Sequence, residues 1–213
     1  MLQRETVLES TLDLLRKLQS LPGLSGLRLV GGTALALQLG HRRSVDLDLF
    51  GQFDATVSYR KKLADAGYQA EGAESGDVQS LVVDGVKVDL VNYPYGWIGD
   101  AVVEDGLTLA SVDDIVAMKL SAAANRGKKK DFIDIATLLS KYTLAEMFTL
   151  YQKKFEVSEI GFAVRGLTYF QDAEEDPMPM MFTPLTWPDV KCRIIEAVKA
   201  FVVKDELTAG KDK

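Results

Sequence analysis

Apolar residues recur every third or fourth position in some stretches of this chain and every second position in others, and these two periods mark helices and strands. Val7, Leu8, Leu12, Leu15 and Leu18 share one face of a helix predicted from about Glu5 to Leu18. Pro22-Gly23 breaks it, and a strand follows from Leu27 to Val30. Two glycines turn the chain into a short helix, Thr33 to Leu39, and the next strand carries Asp46 and Asp48 with Val45, Leu47 and Leu49 toward the core. Tyr59 to Ala66 reads as a helix ending at Gly67. Val78–Val83 and Val86–Val91 are apolar alternating runs that flank Asp84-Gly85, a strong two-residue hairpin signal, and Asp105-Gly106 marks a second, smaller hairpin.

From Ser111 the pattern is helical. Ser111 and Asp114 resemble a capping box ahead of a helix ending near Arg126-Gly127. Further helices are predicted over Asp131–Ser140, Leu144–Phe155 and Ser158–Phe170. The segment QDAEEDPMPMMFTP reads as an extended loop, Pro188 suits the first turn of a last helix reaching about Val203, and Asp205–Lys213 reads as a frayed tail. The layout is an α/β front of about residues 1–110 and a helical back, 111–213, with a cleft between the halves as a natural ligand site.

Composition narrows the class without naming it. A chain of 213 residues buries roughly 70% of its unfolded surface. No apolar run approaches the ~20 residues of a membrane span, and the N-terminal stretch mixes charges into its apolar pattern, unlike a secretory signal. A single cysteine, Cys192, cannot form an internal disulfide, and the expected compartment is cytoplasmic. The net charge of −6 argues against nonspecific coating of nucleic acid but leaves room for a local basic groove.

The chemistry concentrates in LVGGTALALQLGHRRSVDLDLF. Side chains two apart on a strand share a side, so Asp46 and Asp48 face a common point, and paired anions make sense with a cation between them. Asp89, in VKVDLV, stands opposite the core side of its own strand. If that strand pairs beside the first, three acids converge and can hold two divalent cations about 4 Å apart. Gly31-Gly32 either permits positive φ or offers backbone N–H groups to a phosphate, and Thr33 either adds a hydroxyl donor or caps the short helix. No P-loop pattern is present. Arg42 and Arg43 either reach phosphate or lie on the surface. His41, the only histidine, excludes a Ser-His-Asp triad and reads as a structural hydrogen-bonder. Tyr93, Tyr95 and Trp97 either stack on a base or pack between domains. Lys119 and Arg126, seven apart, share a helix face suited to neutralising a triphosphate.

The series G-G-T, D-x-D and a later strand Asp resembles the nucleotidyltransferase fold of DNA polymerase beta and its relatives, with threonine where serine is frequent. Adding MKLSAAANRGKKKDFIDIATLL, the chain is similar to AbiEii/AbiGii-type toxin nucleotidyltransferases of abortive-infection and toxin–antitoxin systems. The resemblance implies an α+β fold: a nucleotidyltransferase-like mixed sheet with flanking helices as catalytic domain, then a helical region closing the cleft. It implies transfer of an NMP from an NTP to an acceptor hydroxyl, an RNA end and particularly a tRNA 3′ terminus, with two Mg²⁺ ions or Mn²⁺ on Asp46, Asp48 and Asp89. Gly31, Gly32, Thr33, Arg42, Arg43 and Arg126 join the nucleotide site, Lys119 and Lys129 or Lys130 contact phosphate, Asp131 orders the site and Asp134 braces a basic neighbour. An antitoxin protein is the implied partner. The competing readings are a non-catalytic nucleotide- or partner-binding module of the same fold and a phosphohydrolase using the same metals.

Overall fold

The computed structural model describes residues 1–209, without the side chains of Arg126 and of 204–209. The chain divides into two compact units, Met1–Val112 and Asp113–Lys213. Among the described residues, no helix is long and apolar enough to cross a membrane.

The first unit is built on one seven-stranded mixed sheet. Its strands are β1 (Arg28–Val30), β2 (Leu47–Gly51), β3 (Ala70–Ser75), β4 (Val78–Val83), β5 (Val86–Asn92), β6 (Val102–Glu104) and β7 (Leu107–Leu109), in the spatial order β3-β4-β5-β2-β1-β7-β6. β2–β5 and β1–β7 run parallel and the other neighbours antiparallel. Both Asp-Gly hairpins form: Asp84-Gly85 and Asp105-Gly106 all take positive φ, the geometry whose twist matches the flanking strands. Leu29, Leu47, Leu49, Val88, Leu90 and Leu109 fill one face of the sheet and are fully buried. Each such burial contributes about 1.5–3 kcal/mol before entropy is counted.

Helices α1 (Glu9–Ser20), α2 (Gly31–Leu39) and α3 (Tyr59–Asp65) complete the unit. α1 starts later than its apolar pattern suggests, because Arg4–Thr6 form a separate 3-10 turn and Leu8 becomes the exposed N-cap. Val45 also departs from expectation. It is 54% exposed, since β2 begins only at Leu47 and the strand alternation does not extend back to it. The edge strand β3 carries no apolar alternation, being mostly exposed, and is absent from the sequence reading for that reason. Gly72 lets it pair, as a Cβ there would meet the Ser80 carbonyl oxygen at 2.2 Å.

The second unit is helical: α4 (Val112–Arg126), α5 (Lys129–Leu138), α6 (Leu144–Phe155), α7 (Gly161–Leu167) and α8 (Trp187–Ala209). α6 opens with a reciprocal capping box between Thr143 and Glu146. Asp114 accepts a hydrogen bond from Lys154 Nζ at 2.7 Å, a fully buried ion pair that joins α4 to α6. α7 is shorter than expected, and α8 runs past Val203 to Ala209, so the expected tail retains only 210–213, outside the described residues.

Candidate active site

The sequence brings the first carboxylates together through strand register. β2 and β5 pair in parallel with Asp48 directly beside Asp89, and β1 sets Val30 opposite Asp48. Period-two alternation then turns Leu47, Leu49, Val88 and Leu90 inward and leaves both acids on the other face. Asp46 precedes β2, and its carbonyl accepts a hydrogen bond from the buried Thr33 hydroxyl. Thr33 Oγ1 also lies 2.8 Å from Ser44 Oγ. Thr33 therefore latches the approach to β2 onto α2, and it is not the N-cap, which is Val30 with no side-chain cap bond.

The two glycines are required by close approach. Gly31 takes φ +69°, and a Cβ there would lie 2.5 Å from Asp48 Oδ2. A Cβ on Gly32 would lie 2.2 Å from Arg42 Nη2 and 3.4 Å from Ser44 Oγ. Arg42 is buried, and its Nη1 donates to the Arg43 carbonyl at 3.0 Å. The start of α2 is thus overlain by one carboxylate and one guanidinium. His41 is fully buried.

Lys87, two residues before Asp89 on the same strand face, is the member of this cluster that sequence reasoning missed. Its Nζ donates to Asp89 Oδ2 at 2.6 Å. That hydrogen bond, opposed by burial and reinforced by the charges of Asp89, Asp48 and Asp46, holds its ammonium above the ordinary lysine pKa. Lys-x-Asp on an alternating strand was the available signal, but its meaning depends on which acids the neighbouring strand supplies.

Among the described residues, no three His, Cys, Asp or Glu side chains form a ready-made metal cluster. The expected convergence is therefore partial: Asp48 and Asp89 are side by side, while the three acids do not close around a point. The donor set still fits a hard divalent ion, with carboxylate oxygens from adjacent strands and a buried Asp89 Oδ1 that has no hydrogen-bond partner.

Two of the predicted basic residues of the helical unit, Lys119 and Lys129, are buried against protein partners. Lys119, 3% exposed, lies 2.8 Å from Asp131 and 2.6 Å from Asp134. The expected phosphate ligand is thus the centre of a buried ion cluster, and Asp134 braces it. Lys129 donates through Nζ to the Glu174 carbonyl at 3.0 Å and to the Asp176 carbonyl, and lies over the Trp187 ring. Its buried ammonium is committed to the 174–176 segment, which sequence reasoning could not foresee across such a separation. Lys130 is half-buried, Lys128 is exposed, and the Arg126 side chain lies outside the described residues. Tyr93 meets Phe50, Tyr95 and Trp97 at centroid separations of 5.2, 5.4 and 5.5 Å, and Arg28 stacks on Trp97.

Known proteins share the fold. Solved structures of similar fold include a candidate nucleotidyltransferase from H. pylori, 18% identical, covering 94% of this chain and 95% of that one with a TM-score of 0.60. Another is MenT4, the nucleotidyltransferase toxin Rv2826c of Mycobacterium tuberculosis H37Rv, 15% identical, with 86% and 78% covered and a TM-score of 0.53. An uncharacterized protein of Aquifex aeolicus (strain VF5), aq_aa25, is 33% identical over 172 residues, 77% of this chain and 83% of its own. The sequence profile of the nucleotidyl transferase AbiEii toxin, type IV toxin–antitoxin system, matches residues 13–97 and 100–189. With most of its length under that profile and its sheet, glycine turn and aspartates in the matched region, the chain belongs to the AbiEii family of nucleotidyl transferase toxins.

Proposed function

We propose that this family member moves a nucleoside monophosphate from an NTP to a hydroxyl at an RNA 3′ end, with tRNA as the first candidate, and that Asp46, Asp48 and Asp89 hold the Mg²⁺ or Mn²⁺ ions it requires. The acceptor oxygen forms a bond to the α-phosphorus, the bond from that phosphorus to the bridging oxygen breaks, and pyrophosphate leaves. Bound divalent ions would supply charge neutralisation and Lewis acidity at the reacting phosphate.

The protein's own residues do the rest. Asp89 takes the acceptor proton as the hydroxyl attacks. The first-turn amides of α2, uncapped by Val30, and the Arg42 guanidinium beside Gly32 receive the phosphates. Thr33 fixes the backbone at Asp46 and hence the position of that carboxylate. An antitoxin protein is the proposed partner.

The observation that carries this reading is the side-by-side pairing of Asp48 with Asp89, whose buried Oδ1 lacks a partner. Incubation with total RNA, Mg²⁺ or Mn²⁺ and each labelled NTP in turn tests it. Label should enter RNA 3′ ends with one preferred nucleotide, and Asp46→Ala should abolish incorporation while the fold persists by circular dichroism. Undiminished transfer by Asp46→Ala overturns the metal role. Mg-NTP binding with no transfer identifies a binding module instead.

A further inference from the structure

We propose that Lys87 is a tethered counter-ion of the acidic cluster, occupying Asp89 when no divalent cation is bound and competing with the cation for that carboxylate. The inference rests on the proposed metal role of Asp89. Lys87 is a positioning residue in this scheme: it acts through Asp89.

The geometry has three parts. Lys87 Nζ takes one oxygen of Asp89, Oδ2, at 2.6 Å, while the other oxygen is buried without a hydrogen-bond partner. The carboxylate is therefore satisfied at one oxygen and lacks a hydrogen-bond partner at the other. The lysine side chain is 56% exposed against 18% for Asp89, so the ammonium can leave into water on its flexible stem while the carboxylate stays in place. Asp48 stands directly beside Asp89, and the charges of Asp48 and Asp46 both reach Lys87. A compact ammonium at this point offsets like-charge repulsion among acids on adjacent strands. A divalent ion held by the same carboxylates would bring two charges and make that help redundant, so the ammonium and the ion would compete for Asp89.

This role has a signature opposite in sign to that of an ordinary structural residue. Lys87→Met keeps the length and removes the charge. In chelator its melting temperature should fall relative to the parent, and saturating Mn²⁺ should restore most of the loss. Titration of Mn²⁺ without nucleotide, followed by calorimetry and by the electron paramagnetic resonance of free Mn²⁺, should give binding at least about fivefold tighter than in the parent. Lys87→Arg should bind Mn²⁺ within about twofold of the parent. Equal or weaker Mn²⁺ binding by a folded Lys87→Met overturns the inference. If Lys87→Met fails to fold, Lys87→Gln is read by the same criterion. Failure of the parent reading is distinguishable: Mn²⁺ affinity would then be unaffected by Asp89→Asn in the wild-type background.

Discussion

A methyl group on Gly31 would meet Asp48 Oδ2 at 2.5 Å, so the glycine and the carboxylate hold mutually dependent positions. The backbone at Gly31 is also left-handed, at φ +69°. Gly31→Ala incurs both penalties at once. Destabilisation of about 1–3 kcal/mol is expected from the backbone alone. Displacing Asp48 should cost labelled-nucleotide transfer about 100-fold. Urea denaturation and the transfer assay check the two effects separately, and unchanged transfer would show that the carboxylate has room to spare.

Thr33 makes a subtler prediction. Its hydroxyl bonds both the Asp46 carbonyl and Ser44, and the side chain is buried. Thr33→Val leaves those groups unsatisfied and should cost about 1–3 kcal/mol. Thr33→Ser keeps the hydroxyl and should behave nearly as the parent in thermal melts and in transfer.

Lys119 separates a folding role from a phosphate role. Removing a buried ion partner costs about 3–5 kcal/mol, because the charges left behind lose their compensation. Lys119→Met should show that loss in urea, with Asp131 and Asp134 left against an apolar stem. The double change Lys119→Met with Asp134→Asn should cost less than the sum of the two single changes. Strict additivity would mean that the 2.6 Å contact carries no coupling.

Tyr142 gives the alkaline limb of stability. Burial first, and then its hydrogen bond to Asp113, push its phenol up to about 12. A folded pKa above the unfolded one means the stabilisation is complete below about pH 10 and is lost as pH rises toward 12. Denaturation curves between those values should fall more steeply for the parent than for Tyr142→Phe, which has no proton to lose. Equal slopes would refute it.

The sheet was legible wherever alternation and turn chemistry agreed. β4 and β5 announce themselves through Val78–Val83, Val86–Val91 and the Asp84-Gly85 turn, and Asp89 follows from its place opposite Val88 and Leu90. β3 was silent because a mostly exposed strand has no apolar side to print on its sequence. Lys87 was silent for another reason: its partners are set by the register of β2 against β5. Lys119 and Lys129 read as phosphate contacts and not as buried partners, because lysine burial is decided by acceptors elsewhere in the sequence, here Asp131 and Asp134 in one case and the Glu174 and Asp176 carbonyls in the other.

The parallel ladder between β2 and β5 has a consequence for the making of the protein. Asp48 leaves the ribosome about forty residues ahead of Asp89, and no local hairpin can bring them side by side. Their meeting requires the chain to cross back and lay β5 beside β2, a non-local contact of the kind that forms slowly. A polypeptide that ends before β5 carries Asp46 and Asp48 but lacks the strand that sets Asp89 beside them.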